Sequence, residues 1–595
     1  MPSQITREFS IKTRAFPPKC QQRVDEWVLS VFDIEDSTYH MKPSGFDSET
    51  DELNFQMGCC GQILVNTLLQ FANIPVFYLK KEIHYQDDKE NSKYIQLRLP
   101  VAVIERIPKK AYEVAVRSAF DILQWMISHE LTPKHKKQLQ TVIEQQCRMP
   151  IKKFYKGGKT TLPLLKVAYE QNIPFTHLGS AVYALGWGSK SRQMLISACD
   201  SDSAIGSKIA QDKVSTAQIL ELAGLPGPVH IVVNSKASAI KAAKRLGAPL
   251  VVKPTNRDRG EGVMVGIKNI KQLSAAFDGA RKYSKGPIII EKEVPGVCHR
   301  LLISNGVLLY AIKRNPISVV GNGKNTVREL IDVLQQFEKD KAPWLNPRAY
   351  PDDALAIATM TAQGHSLESK PAIGELVSLR AFQSDAWGGT PEDATADVHP
   401  ENITAAVRAA KLFGLYNAGI DIITPDITQP WHTNGAIINE VNFTPNMGAS
   451  EIAKKALPKF LETFIDGDGR IPIHVFVGNE LAMKQARKKH AALMKKGIKS
   501  SLTSHQITQH LSENEIQMPR NSLVKRCKAM LMDNEVEALI VVIETNECLF
   551  DRIPFDKIDS LKIADSGLSL WQDLNNNVPP EGVTAVHAFL KELQE

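Results

Sequence analysis

The chain has no apolar run approaching the ~18 residues of a membrane span, so a transmembrane helix is not expected. Its opening, MPSQITREFSIKTRAF, lacks the apolar core of a secretory signal. Cysteine is sparse and unpatterned: Cys20, Cys59, Cys60, Cys147, Cys199, Cys298, Cys527 and Cys548 show no CxxC spacing, and the adjacent pair cannot readily chelate a metal alone. All eight are therefore expected as reduced thiols in a cytoplasmic protein. Charge of one sign is also missing. A net charge of +7 over 595 residues permits anionic substrates but is no argument for nucleic-acid binding. There is no internal repeat and no low-complexity segment.

What is present is an ordinary globular composition, 43% apolar and 23% charged. At this length the chain exceeds one core, and about three to five domains are expected. Residues 1 to about 150 mix short apolar strands (Val76-Phe77-Tyr78-Leu79, Tyr94 to Leu99) with an amphipathic stretch from Lys110 to His129. They suggest a small α+β domain in which His84 to Ser92 is a hairpin tip. From Thr160 the pattern changes. Leu162 to Gln171 has helical period, and Asp212-Lys213-Val214-Ser215 opens a helix that stops at Gly224. A βαβ-like unit follows: helix Ser235 to Leu246, buried strand Pro249 to Pro254, strand Val263 to Ile267, helix Ile270 to Tyr283 and strand Pro287 to Glu291. Arg300 to Ser304 and Val307 to Lys313 continue a sheet, residues 325–370 read as a helical insertion, and residues 475–595 again alternate strands with helices.

The chemistry concentrates between Pro249 and Asn442. Lys253 ends an apolar strand ahead of a proline that keeps the chain extended, and Lys213 opens a helix. Alone, either lysine reads as an exposed surface charge; together, with the loop that follows, they favour phosphate binding. In Asp258-Arg259-Gly260-Glu261-Gly262, Gly260 and Gly262 let backbone amides approach phosphates. The loop matches neither G-x-G-x-x-G nor G-x-x-x-x-G-K-[ST], and a tight turn between strands is the plainer alternative. The strand Ile288 to Val294 can hold adenine through its backbone, Val294 included, with Glu291 accepting from the exocyclic amine. An edge strand with solvated charges fits that segment as well.

Asp421 follows Ala418-Gly419-Ile420, while Glu440 and Asn442 stand two apart and so face one side of a strand. Three oxygen ligands of this kind suit Mg²⁺, which takes few carboxylates together with phosphate oxygens. Arg300, Arg314 and Arg380 are cations suited to a carboxylate or a transferring phosphoryl group. Trp387-Gly388-Gly389-Thr390 reads as a carboxylate nest. The set points to ATP- and Mg²⁺-dependent activation of a carboxylate.

These residues resemble the ATP-grasp superfamily, and more closely the cyanophycin synthetases. Similar in wording are Thr161-Leu162-Pro163-Leu164-Leu165, Tyr183 to Gly188, and Ser203-Ala204-Ile205 leading to Asp212-Lys213. So are Val320 to Asp332 and Asp397 to Asn402. The resemblance implies an α/β and α+β multidomain chain. It comprises an N-terminal α+β domain (1–157), an ATP-grasp ligase domain (158–474) and a small α/β Mur-ligase-like domain (475–595). It implies that Lys213 and Lys253 hold phosphates, that Asp421, Glu440 and Asn442 hold magnesium, and that Arg300 and Arg314 meet the acyl carboxylate or phosphate.

Two departures stand out. Where the family's Mur-like domain has a G-T-N-G-K-T phosphate loop, this chain reads Gly478-Asn479-Glu480-Leu481-Ala482-Met483-Lys484, and it ends without room for the rest of a Mur ligase. That domain is expected to be a degenerate remnant. Asn442-Phe443-Thr444-Pro445-Asn446-Met447-Gly448 replaces the usual N-A-A-P-G-F-R near the acyl acceptor. The expected activity is peptide-bond formation through an acyl phosphate. Its substrates are an amino acid, a dipeptide such as β-aspartyl-arginine, or a peptide polymer. A different amino-acid or peptide ligase, or an inactive nucleotide- or polymer-binding homologue, is the alternative. No nucleic-acid or membrane partner is expected, and a homodimer is.

Overall fold

Short, largely buried apolar strands build the sheets that carry the charged residues. The computed structural model describes residues 4–34, 48–77, 83–87, 93–257, 260–383, 388–518, 522–565 and 567–594. It divides into two compact units. One gathers residues 1–130, 146–195 and 461–595; the other gathers 131–145 and 196–460.

In the first unit, Tyr94–Ala102 turns Ile95, Leu97, Leu99 and Val101 inward and pairs antiparallel with Thr6–Arg14 and His84–Asp87. Helices Glu49–Phe71 and Lys109–Ser128 pack together in the same region, the latter through Tyr112, Val116, Phe120, Leu123 and Met126. The α+β reading of this region agrees with that. Val76 and Phe77 are not in a strand. Gln4 holds that segment instead, accepting from the Phe77 N–H at 2.6 Å and donating to the Pro75 carbonyl at 2.7 Å. Tyr78 and Leu79, and residues 88–92 of the expected hairpin tip, lie outside the described residues.

The carboxyl-terminal portion of this unit is a five-stranded sheet ordered Thr508–His510, Ser500–Thr503, Ala538–Ile543, Ile473–Val477, Ser560–Ile563. All but the first are mutually parallel. Ala538–Ile543 lies centrally with every residue buried, as a strand covered on both faces must be.

The second unit holds a four-stranded and a five-stranded sheet, with a two-stranded antiparallel pair, Ser318–Val320 with Leu376–Ser378, in its insertion. In the four-stranded one the order is Met264–Ile267, Leu250–Pro254, Ile288–Lys292, His230–Val233. Helices Lys236–Leu246 and Ile270–Tyr283 cover it, burying Val252, Ile288 and Ile290 against Ala239, Leu273 and Phe277. The βαβ-like connectivity is present, but Ile288–Lys292 inserts between its two parallel strands. The five-stranded sheet runs Gly389–Asp393, Val307–Pro316, Val297–Ser304, Asn417–Thr424, Ile437–Phe443. Helix Pro400–Leu412 backs it through Ala405, Ala406 and Ala409 against Leu301, Ile303 and Ile420. Residues 317–379 form the expected insertion, with helices Val327–Asp340 and Ala354–Ala362 around Val319, Ile331, Met360 and Val377. Thr326 and Glu329 close a capping box at its first helix.

All eight cysteines are free thiols. Among the described residues no helix is long and apolar enough to cross a membrane.

Helix Ala204–Ala210 approaches the sheet's supporting helix so closely that a Cβ on Gly206 would stand 1.5 Å from the Phe413 carbonyl oxygen. Backbone cannot yield as a side chain can. Gly206→Ala should therefore lower stability by about 1–3 kcal/mol, read as an earlier midpoint in urea followed by circular dichroism. An unchanged midpoint would contradict that contact.

Candidate active site

Strand register assembles the charged cluster. Within the five-stranded sheet Arg300 lies directly opposite Asp421, Asp421 opposite Glu440, and Gly419 opposite Asn442. Arg300 Nε and Nη2 each donate to the Asp421 carboxylate at 2.7 Å, a bidentate fork. Arg314 Nη1 adds a third bond at 3.2 Å. Asp421 is 2% exposed, so these guanidinium groups are what make its ionised form tolerable there. Burial alone would raise its pKa; Arg300, Arg314 and Asn442 overcome that and hold it below the ordinary carboxylate range. Burial likewise works to lower the Arg300 pKa, and Asp421 more than reverses it.

Lys213 joins from the first turn of helix Lys213–Leu222, whose N-cap Asp212 accepts from the Ser215 N–H at 2.6 Å. Its Nζ stands 3.9 Å from Glu440 Oε1. Asn442 Nδ2 donates to the Gly419 carbonyl at 3.1 Å, which fixes its amide against the neighbouring strand. Asp421, Glu440, Asn442, Lys213, Arg300 and Arg314 thus form one contiguous network.

A second pair sits on the four-stranded sheet. Lys253 and Glu291 occupy neighbouring antiparallel strands and meet at 2.7 Å, both nearly buried. Val294 follows Glu291 by three residues, just past the strand end, and is half-buried. Glu293 accepts from the Gly266 N–H at 2.7 Å. Gly260 and Gly262 take φ of 82° and 71° between the paired strands Leu250–Pro254 and Met264–Ile267. A Cβ on Gly262 would press on Pro254 and Tyr283 at 3.0 and 3.1 Å, so this turn needs glycine for both conformation and space. Asp258 and Arg259 of that loop lie outside the described residues.

Arg380 takes a different place from the other arginines. It is buried in the insertion, where it donates to the Leu379 carbonyl at 2.9 Å and to Asp353 at 2.8 Å. Gly389 and Thr390 open an edge strand opposite Pro316 and Asn315, so their backbone belongs to a ladder rather than to a nest. Trp387 lies outside the described residues.

Three features of the site are missing from the sequence reading. Cys298 precedes Arg300 by two on the same strand face; burial, then Asp421, push its thiol up and keep it protonated. Period-two alternation from Arg300 would have found it. Tyr310 sits near Arg300, its hydroxyl pushed up to about 12 by burial, and donates to the Asn446 carbonyl at 3.4 Å. Ser197 donates to the Pro445 carbonyl at 2.6 Å, and Asn417 in turn to the Ser197 carbonyl. Thr444, a β-branched residue at φ 53°, is therefore held in a strained conformation at the edge of the cluster.

Among the described residues no three His, Cys, Asp or Glu side chains converge on one point. Asp421 and Glu440 lie opposite each other on neighbouring strands, with Asn442 two residues beyond Glu440, and oxygen donors of that kind and number are chemically suited to Mg²⁺ completed by phosphate oxygens.

No family model matches the chain. It is similar to the cyanophycin synthetase of Trichormus variabilis, 30% identical over 388 residues that make up 62% of this chain and 42% of the relative. It is also similar to that of Crocosphaera subtropica, 34% identical over 292 residues, 48% of this chain and 34% of the relative. The chain thus spans less than half the length of these curated relatives. Among solved structures, a bifunctional glutathione synthetase from Pasteurella multocida aligns with a TM-score of 0.40 at 18% identity, covering 75% of this chain and 77% of that one.

With Asp421 removed, Arg300 and Arg314 would face each other without a counter-charge. Asp421→Asn should lower stability by about 3–5 kcal/mol near neutral pH. Because the folded pKa is depressed, this contribution is complete above the unfolded carboxylate value and is lost as pH falls through the folded one. The gap between wild type and variant should therefore narrow below about pH 4, measured as urea midpoints across pH. A gap that stays constant would show that the Asp421 charge is not its source.

Proposed function

We propose that the chain is an ATP- and Mg²⁺-dependent carboxylate–amine ligase of ATP-grasp type. The observation that carries this reading is the network in which Lys213, Arg300 and Arg314 converge on Glu440 and Asp421, in a chain similar to the cyanophycin synthetases. Four cations and three acids make up the set, carried by two sheets and the first turn of helix Lys213–Leu222, counting the Lys253–Glu291 pair. A site that must neutralise a triphosphate and then a transferring phosphoryl group calls for such a balance.

In this reading Lys253 exchanges Glu291 for phosphate oxygens when nucleotide enters, leaving the Glu291 carboxylate to accept from the adenine amine beside Val294. Gly260 and Gly262 carry the turn whose amides cover the phosphates. Lys213 reaches the same anion from its helix terminus. Glu440 and Asn442 hold magnesium with Asp421, and the ion supplies charge neutralisation at the transferring group. Arg300 and Arg314, anchored on Asp421, face the carboxylate that attacks the γ-phosphate. The bond from the γ-phosphorus to the bridging oxygen breaks and ADP leaves; an amine then attacks the acyl phosphate carbonyl, loses a proton as the amide forms, and phosphate leaves. Arg380 acts by ordering the insertion through Asp353.

The substrate class is an amino acid, a dipeptide or a growing peptide, with β-aspartyl-arginine polymerisation as the leading case. The chain is organised as three domains, 1–157, 158–474 and 475–595, the last of them a degenerate Mur-like remnant. In that remnant Asp565 Oδ1 accepts from the Asn479 and Gly567 amides at 3.1 Å each, so a carboxylate of the chain occupies the Asn479 amide just past strand Ile473–Val477. This arrangement supports loss of a phosphate site there. The protein acts as a cytoplasmic homodimer without nucleic-acid or membrane partners.

Glu440→Ala should reduce ADP formation by about 100-fold or more while circular dichroism and melting stay unchanged. The assay is ADP release with ATP and Mg²⁺ across amino acids, dipeptides and β-aspartyl-arginine, with product masses read from active wells. Unchanged turnover would remove the metal assignment. ATP binding without turnover on any substrate would favour a binding protein.

A further inference from the structure

The first unit carries a cavity of about 240 Å³ that the ligase reading does not use. Three stretches far apart in sequence supply its walls. Ile104 and Glu105 follow strand Tyr94–Ala102, Phe175 and His177 lie on strand Phe175–Gly179, and Leu531 ends helix Leu523–Leu531, with Phe555 farther along the chain. Ile104, Leu531 and Phe555 are nearly buried, as is Trp187 on the same wall. Most of the lining is therefore apolar and tightly packed.

The charges around the cavity are mostly matched. Glu105 and Lys528 pair with each other within the lining. Asp556 accepts from Arg470 twice, at 3.0 and 2.6 Å. Arg552, exposed beside the exposed Asp551, donates to the Gln4 carbonyl at 2.8 Å. A charged ligand would have to displace such a partner, so the lining favours a neutral one.

His177 is the exception. It is 6% exposed, and its Nδ1 stands 2.7 Å from the Glu105 carbonyl oxygen. A carbonyl can only accept, so Nδ1 carries the proton and Nε2 of the neutral ring is left as an acceptor. Among the described residues that Nε2 has no hydrogen-bond partner. The neighbouring Tyr155 and Tyr183 hydroxyls bond each other at 2.9 Å instead. A buried acceptor left without a donor is unfavourable, and a ligand that brings a donor relieves it.

A cavity of about 150 Å³ suffices for benzene, and the larger volume here suits a substituted or bicyclic ring. We propose that this cavity binds a small neutral aromatic molecule bearing one N–H or O–H donor, of the indole or phenol class. The donor meets His177 Nε2, and the ring lies against Phe175, Trp187 and Phe555. Because all three stretches supply the walls, a bound ligand ties them together and stabilises the unit by mass action.

Indole serves as the probe, titrated calorimetrically into the full chain, with benzofuran as the isostere that lacks the donor. Indole should bind saturably at one site per chain, and benzofuran about tenfold or more weakly. In His177→Phe, which keeps a flat ring but no acceptor, the two should bind alike. Met532 is exposed on the cavity wall, so Met532→Trp narrows the same site even if His177→Phe perturbs folding. It should weaken indole about tenfold. Binding is read directly, so the outcome does not depend on ligase activity. Absence of saturable indole binding, equal affinity for indole and benzofuran in the wild type, a preference for indole that survives in folded His177→Phe, or indole affinity unchanged in Met532→Trp would overturn the proposal.

Discussion

The buried carboxylate of Asp421 is the constraint around which the second unit is organised. An ionised acid at 2% exposure is stable only with fixed counter-charges, and two arginines from consecutive strands provide them. Those bonds require Val297–Ser304 to lie between Val307–Pro316 and Asn417–Thr424 in one particular register. A slip of one residue would turn Arg300 into the alanine-lined core and expose Leu301. The ion network and the hydrophobic core therefore specify the same pairing. The bulge after Asp421 belongs to the same arrangement, because it lets Glu440 face Asp421 while Ile438 still faces Ile422.

Much of this was legible from residue pattern. Short continuous apolar runs located Leu250–Pro254, Ile288–Lys292 and Ala538–Ile543, and Asp212 and Gly224 bracketed their helix because cap chemistry is local. What alternation could not disclose was partnership across the sheet. Asp421 looked like a free oxygen ligand, yet both of its oxygens accept from guanidinium groups over a hundred residues away. Arg380 looked equivalent to Arg300 and Arg314, but its strand context differs: it ends the insertion, where the helix cap Asp353 captures it. Thr6–Arg14 escaped notice because its outward residues are charged and only Phe9 and Thr13 lie fully inward. Val76 and Phe77 failed the other way, since an apolar pair beside a glutamine side chain can be held without any ladder.

The two α/β assemblies solve the problem of charge near a strand end differently. In the antiparallel sheets, acids and bases on adjacent strands neutralise each other across the ladder, diagonally for Lys253 with Glu291 and directly opposite for Arg300 with Asp421. In the parallel carboxyl-terminal sheet, the strand ends point one way and their charges accumulate at one rim. There Glu547 accepts from Ser522 and the Leu523 amide and meets His505, while Asp565 closes on the glycine-bearing turn. Glu544 alone of these acids opens onto a cavity at that rim. A sheet that had decayed without constraint would be expected to replace such rim charges with apolar residues, since each buried acid costs free energy unless it is partnered.

The pairing of Lys253 with Glu291 also bears on how the ligase site would work. Held 2.7 Å from Glu291, the buried Lys253 ammonium has a fixed counter-charge, and no long side-chain search precedes its encounter with an anion. The Lys213–Glu440 contact at 3.9 Å is looser, with Glu440 partly open to solvent, and offers a carboxylate that can turn from lysine to metal. Tight pairing on one sheet and loose pairing on the other thus separate the two requirements of the proposed chemistry: a fixed charge to receive the nucleotide, and a movable one to follow the phosphoryl group. Preorganised charge lowers a barrier only if it need not reorganise during the step, and the Arg300–Asp421–Arg314 fork is the portion of the network with the least freedom to do so.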